Sequence, residues 1–227
     1  MPAFNEEASI EFVVDAWLRA LTNEARHFVL LVINDGSTDT TGKILDRLCQ
    51  QFAPELEVIH QKNLGHGQTC LAAYRMACER KIPWVLQIDS DGQCDPADFG
   101  KFWANREPCD VLYGIRTNRK DGWRRVLASR ILHLVLAVVA RTRCEDANVP
   151  FRLMRTSILE EKLRKIPDDF CLANIALAVL LRRDPTIRHR SFPIHFHARS
   201  RGEPSVPLSR FLEKAIQLVR QLKTLPK

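Results

Sequence analysis

Apolar positions in the first ninety residues switch between two spacings. Phe12, Val13, Ala16, Trp17 and Ala20 recur at helical intervals, which predicts a helix over 10–21. The run Phe28-Val29-Leu30-Leu31-Val32-Ile33 is unbroken and β-rich, the pattern of a strand buried on both faces of a parallel sheet. The turn residues Asn34-Asp35-Gly36-Ser37-Thr38-Asp39 end it, and Ile44, Leu45, Leu48 and Phe52 mark one side of a second helix. A strand at 56–59, a loop at 63–67, a helix over 68–80 and a strand at 84–88 complete the series. This βαβαβ rhythm predicts an α/β fold, a mostly parallel sheet flanked by helices. In such sheets ligands sit at the carboxyl ends of the strands, where the polar turns 34–39 and 89–93 both fall.

The remainder has a different pattern. A strand is expected at 111–114, an arginine-dense stretch at 116–130, an amphipathic helix at 126–141, helices at 153–163 and 173–183, a strand at 191–197 and a basic amphipathic helix at 208–222. No repeat, linker or composition break divides the 227 residues, so one domain is expected over 1–227, with 1–110 and 111–227 as its two halves. One departure stands out: the turn at residues 2–7 would ordinarily follow an apolar strand, and only Met1 precedes it. The expectation is a sheet short of one strand or a truncated start.

Composition narrows the class. Apolar residues make up 45% and charged residues 27%, with 9 Gly and 12 Pro, which excludes collagenous, disordered and low-complexity chains. The net charge of +7 favours an anionic partner: a phosphate, a nucleic acid or a lipid surface. Nucleic acid is disfavoured, because no aromatic stacking pattern or helix-turn-helix accompanies the basic residues. Seven scattered cysteines without Cys-x-x-Cys spacing read as reduced thiols, hence a cytoplasmic protein. No secretory signal is expected, and the longest apolar run, 131–140, is too short to cross a bilayer. The helix 208–222, with Arg210, Lys214 and Arg220 beside Phe211, Leu212 and Ile216, suits either an anionic membrane face or ordinary packing on the domain.

The candidate chemistry lies in the polar turns. Asp89-Ser90-Asp91 follows an apolar strand, which puts two carboxylates at an exposed strand end. Hard divalent cations take oxygen ligands, and Mg²⁺ is usually held by one or two carboxylates together with substrate phosphates, so a nucleoside diphosphate site is implied. Asp, Ser and Gly are also ordinary turn residues; the buried strand before them is what separates the two readings. Asp35 can accept from a base or ribose, or serve only the turn that caps the next helix. Arg119, Arg124 and Arg125 read as a solvated basic loop, and His195-x-His197 offers two imidazoles on one strand face without an evident third metal ligand.

The motifs at 2–7, 34–39, 63–65 and 89–93, Asp89-Ser90-Asp91-Gly92-Gln93 being the last, occur in an order and at spacings that resemble family 2 glycosyltransferases with the GT-A fold, a Rossmann-like nucleotide-sugar architecture. The second half resembles the dolichyl-phosphate mannosyltransferase and polyprenyl-phosphate glycosyltransferase branch through Gly114-Ile115-Arg116, Ser129-Arg130, Asp146 with Pro150-Phe151-Arg152, and Arg199-Ser200-Arg201-Gly202-Glu203. The resemblance implies that Pro2, Ala3, Asn5 and Glu6 line the nucleotide pocket and that Asp35 meets the base or ribose. It implies that Asp89 and Asp91, assisted by Gln93, hold Mg²⁺ or Mn²⁺ on the donor diphosphate. It matches Arg116, Arg130 and Arg199 to arginines that hold donor and acceptor phosphates; guanidinium grips phosphate bidentately and stays charged. Val149 and Gly202-Glu203-Pro204-Ser205 depart from that branch's Ser-Gly-Phe-Arg and Gly-x-Ser-Lys patterns.

The expected activity is inverting transfer of a hexose, mannose or glucose, from a nucleoside diphosphate sugar to a polyprenyl or dolichyl phosphate. Contact would be peripheral, at the inner face of a membrane. A phosphate acceptor ionises near pH ~6 and needs no strong general base. A saccharide hydroxyl acceptor would need one, and Glu145 or Asp146 would supply it. A nucleotide-sugar-binding module without turnover is the rival from outside enzymes.

Overall fold

A computed structural model of the chain describes residues 1–117, 139, 149–170, 172–197 and 211–226. The elements run β1 (Pro2–Ala3), α1 (Ile10–Glu24), β2 (Leu30–Asp35), α2 (Thr41–Phe52), β3 (Leu56–Gln61), α3 (His66–Glu79), β4 (Trp84–Ile88), α4 (Phe99–Ala104), β5 (Val111–Thr117), β6 (Phe151–Arg155), α5 (Thr156–Leu163), α6 (Ala173–Arg183), β7 (His189–His195) and α7 (Phe211–Thr224). β1, β2 and β3 form one parallel sheet; the other has the order β4-β6-β5-β7. In the second sheet β6 is antiparallel to β4 and β5, while β5 and β7 are parallel.

The two-residue β1 answers the expectation of an absent strand. Pro2 and Ala3 pair with Ile33 and Asn34. One residue earlier, the Met1 ammonium donates to Leu31 O at 2.9 Å and Met1 O accepts from Ile33 N at 2.9 Å. Burial holds that ammonium below its usual pKa.

Helices cover both faces of the second sheet. On one face, Trp17 of α1 and Phe102 of α4 meet Phe151 of β6, with ring centroids 5.7 and 4.6 Å apart. On the other, the fully buried Arg152 reaches Asn174 O of α6 at 2.8 Å, and Tyr74 of α3 donates to Asn174 Oδ1 at 2.9 Å. This double burial explains the one misread element. Residues 153–163, expected as a helix, are the end of β6 followed by α5, because a strand covered on both faces has no alternating signature to separate it from a buried helix. α4 was not foreseen; it follows a 3₁₀ turn at Pro96–Asp98, whose first N–H is capped by Asp95. The helix expected at 126–141 lies outside the described residues apart from Val139.

α7 turns Leu218 and Leu222 inward, with Leu225 just beyond it also buried, while Ile216 is half exposed. Its apolar stripe packs on the domain. Among the described residues no helix is long and apolar enough to cross a membrane. Cys49, Cys70, Cys78, Cys94 and Cys109 are free thiols.

Candidate active site

The site is assembled from the loops that leave β1, β2, β3 and β4 at their carboxyl ends. The first two loops interlock. Asn5, in the left-handed region at φ 53°, accepts from Thr38 N through its Oδ1 at 2.8 Å, while Asn5 N donates to Ser37 Oγ at 3.0 Å. Glu6 N donates to Thr41 Oγ1 and Thr40 N to Glu7 Oε2, at 2.9 and 3.0 Å. Glu6 is itself buried and accepts from Ser9 Oγ at 3.0 Å. Pro2 and Ala3 are buried in the ladder, so they reach any nucleotide pocket through this backbone frame.

Asp35 closes the frame onto β3. Its Oδ1 accepts from Gln61 Nε2 at 2.7 Å and Leu64 N at 2.9 Å, and its Oδ2 accepts from Gly65 N at 2.9 Å. The carboxylate is only 3% exposed, and it anchors the 63–65 loop. Gly36 beside it is at φ 71°, and a Cβ there would lie 2.6 Å from Asn63 N, so the same loop requires glycine.

That loop delivers His66 to the two acidic residues. Gly65, whose N–H binds Asp35, caps α3, and His66 opens the helix with Nε2 3.9 Å from Asp89 Oδ1 and 3.6 Å from Cys70 Sγ. Asp35 and Asp89 are thus joined through two consecutive residues. The Cys70 sulfur first, then Asp89 and Asp91, push the His66 imidazole up to about 10 against opposing burial.

Asp89 is held from its own strand by Gln87, whose Nε2 donates to Oδ1 at 3.2 Å, and Asp91 Oδ1 accepts from Gln93 N at 3.1 Å. Gln93 Nε2 donates to His197 O at 2.9 Å, and His197 N returns to Gln93 O at 2.8 Å. This ties the acidic loop to the segment after β7. Two further pairs reinforce the tie: His195 Nδ1 with Asp98 Oδ1 and His197 Nε2 with Asp95 Oδ2, each at 3.2 Å. These imidazoles are engaged by aspartates, which explains their alternation without a metal.

Cys94, buried behind the loop, has its thiol pushed up by burial foremost and then by Asp89 and Asp91, while Arg116 pulls it back. The Arg116 guanidinium lies 5.0 Å from the centre of the Phe196 ring, and Phe196 bridges to Cys94, just after the acidic loop. Of the expected residues, the structure gathers Asn5, Glu6, Asp35, Asp89, Asp91, Gln93 and Arg116 around one set of strand ends. Arg130 and Arg199 lie outside the described residues, as do Arg119, Arg124, Arg125, Glu145 and Asp146. Two surface hollows lie elsewhere, between α1 and α2 beside Phe12 and Phe52, and between α3 and α5 beside Cys78 and Leu163.

The donors at this site are carboxylate oxygens, and among the described residues no group of three or more His, Cys, Asp or Glu side chains could cage an ion. Two carboxylates without a full protein cage fit a Mg²⁺ or Mn²⁺ ion that draws its other ligands from phosphate and water.

The model of the family described as "Glycosyl transferase family 2" matches residues 1–166. The chain belongs to glycosyl transferase family 2. Relatives of this family 2 chain include the undecaprenyl-phosphate 4-deoxy-4-formamido-L-arabinose transferase of Edwardsiella ictaluri, 23% identical over all of this chain and 67% of that protein. The dodecaprenyl-phosphate galacturonate synthase of Rhizobium johnstonii is 27% identical over 96% of this chain and 64% of its own length. The chain thus spans about two thirds of these relatives. Among solved structures, glucosyl-3-phosphoglycerate synthase from Mycobacterium tuberculosis, in complex with Mn²⁺ and UDP-glucose, superposes with a TM-score of 0.68 at 16% identity, covering all of this chain and 78% of that one. Staphylococcus aureus TarS in complex with UDP-GlcNAc gives 0.61 at 19% identity, over 97% and 65%. These likenesses establish the GT-A fold.

Gln87 and His66 were not foreseen as site residues. The signals were present: an amide in the apolar strand Trp84-Val85-Leu86-Gln87-Ile88, and a histidine between two glycines at a helix start.

Proposed function

We propose that this family 2 chain is an inverting, Mg²⁺- or Mn²⁺-dependent glycosyltransferase that moves a sugar from a nucleoside diphosphate to a polyprenyl phosphate. The observation that carries the reading is the approach of His66 to Asp89 at the carboxyl end of β4, two residues before Asp91 and beside the loop that Asp35 holds. The relatives suggest the acceptor class, and their sugars, a formamido-arabinose and a galacturonate, widen the donor beyond mannose and glucose.

Asp89 and Asp91 would hold the cation, with Gln93 beside them; when bound, it neutralises charge on the departing diphosphate. The residues themselves do the rest. The interlocked 5–7 and 37–41 loops and the Asp35-anchored 63–65 loop form the wall for base and ribose. His66, at the positive end of α3, and Arg116 are the groups that would meet the diphosphate charge as it develops. An acceptor phosphate arrives already ionised, so its oxygen attacks the anomeric carbon in line, the bond to the diphosphate oxygen breaks, and the configuration inverts. Arg130 and Arg199 are assigned to the acceptor phosphate on the resemblance alone. Contact with the lipid is peripheral, at a cytoplasmic membrane face, and no nucleic acid takes part.

The test is sugar transfer from UDP- and GDP-sugars to short polyprenyl phosphates and to free saccharides, with wild type and Asp91→Ala. Wild type is expected to label the lipid phosphate only, and Asp91→Ala to lose at least a hundredfold in rate, on the scale of removing a transition-state charge stabiliser. Labelling of hydroxyl acceptors alone would overturn the acceptor, and full activity in Asp91→Ala would remove that carboxylate from the site.

A further inference from the structure

Gln87 stands at a position that the rest of β4 fills with apolar side chains, and it is 4% exposed. Strand alternation puts it on the same face as Asp89, two residues on, and its Nε2 donates to Asp89 Oδ1 at 3.2 Å. Directly opposite it on β6 is the fully buried Arg152, and opposite Arg152 on β5 is Tyr113, so a polar row crosses the sheet and ends at Asp89. The Arg152 guanidinium is engaged with Val149 O and Asn174 O, at 3.1 and 2.8 Å. Gln87 Oε1, by contrast, is buried and has no hydrogen-bond partner among the described residues. A buried orphan acceptor is uncommon and calls for a reason. The reverse orientation of the amide would turn a carbonyl against the Asp89 carboxylate, so the Asp89 contact dictates the orientation and leaves Oε1 bare.

We propose that Gln87 is a positioning residue: its amide N–H binds Asp89 Oδ1 and fixes which oxygen of that carboxylate is presented to the bound cation and donor diphosphate. The proposal rests on Asp89 as a cation ligand. His66 approaches the same Oδ1 from α3, at 3.9 Å, so groups from two elements gather at one oxygen of the carboxylate. Outer partners of this kind typically alter metal affinity by about 10- to 100-fold when removed. A purely structural glutamine would instead make its contribution to folding, and Oε1 gives it little to contribute.

The experiment titrates Mn²⁺ alone into wild type, Gln87→Leu, Gln87→Met and Asp89→Asn, reading free Mn²⁺ by electron paramagnetic resonance, with thermal melting of each variant in parallel. Mn²⁺ affinity is expected to fall about tenfold in Gln87→Leu and to be abolished in Asp89→Asn, with the melting temperature of Gln87→Leu unchanged or raised. Gln87→Met, of similar length and unbranched, carries the same expectation should Gln87→Leu fold poorly. Wild-type Mn²⁺ affinity in a folded Gln87 variant, alongside loss in Asp89→Asn, overturns the positioning role and leaves the cation site standing. Wild-type affinity in Asp89→Asn, or no binding by the wild type, overturns the cation site and the proposal with it.

Discussion

Asp35 was read from sequence as a ligand contact or a turn residue, and its environment makes it the fastening of a loop. Two backbone N–H groups and one side-chain amide converge on a carboxylate with 3% exposure. Truncation leaves those three donors unpaired, so Asp35→Ala should cost at least about 3 kcal/mol of stability, at roughly 1–3 per orphaned buried group. Urea denaturation measures it, and a loss well under 1 kcal/mol would mean that the loop is held by something else. The place of Asp89 and Asp91 at the carboxyl end of β4 was legible because the apolar run before them marks the strand. Gln87 and His66 were not, because their significance lies in the one oxygen they share, across 21 residues of chain. Arg152 was legible only as part of a motif; the sequence could not say that its guanidinium would be fully buried against α6.

Length and an unbroken apolar run made elements readable even where burial is nearly complete, as in β2 and α6, while the five-residue β6 offers neither. α1 buries Ile10, Val13, Val14, Trp17, Leu18 and Leu21 on one side, the 3.6-residue stripe expected of it. β6 is covered on both faces and was taken for helix. The parallel character holds for β1 to β3 and for the β5–β7 pair, whereas the antiparallel entry of β6 depends on contacts far apart in sequence. The β5–β7 seam begins at a bidentate ion pair: Arg188 Nε and Nη2 donate to Asp110 Oδ2 and Oδ1, at 3.0 and 2.9 Å, and Arg188 N adds a third bond at 2.9 Å. The Arg188 side-chain bonds foremost hold the Asp110 carboxyl below the usual carboxylate range. A carboxyl depressed in the folded state contributes stability above its unfolded pKa of about 3.9 and loses it as pH falls through the folded value. The melting temperature of wild type should therefore exceed that of Asp110→Asn at pH 7, and the gap should close as pH falls below about 4. A gap independent of pH would contradict the charge-based account.

For the whole molecule, the parallel β1–β3 sheet and the mixed β4–β7 sheet meet at the site, which draws loops from β1, β2 and β3 on one side and β4 and the end of β7 on the other. The net charge of +7 suits the proposed meeting of two phosphate-bearing substrates against their mutual repulsion. α7 buries Leu218 and Leu222 on the domain and leaves Arg220 and Lys223 exposed. The account turns on the acidic pair of β4 capturing a donor only in the company of a cation. A ligand that binds the native state alone raises the melting temperature by mass action. The direct measurement is the melting-temperature shift produced by UDP- and GDP-sugars with and without Mn²⁺, in wild type and in Asp89→Asn/Asp91→Asn. The prediction is a shift in wild type that requires Mn²⁺ and disappears in the double variant; an equal, Mn²⁺-dependent shift in both would contradict it.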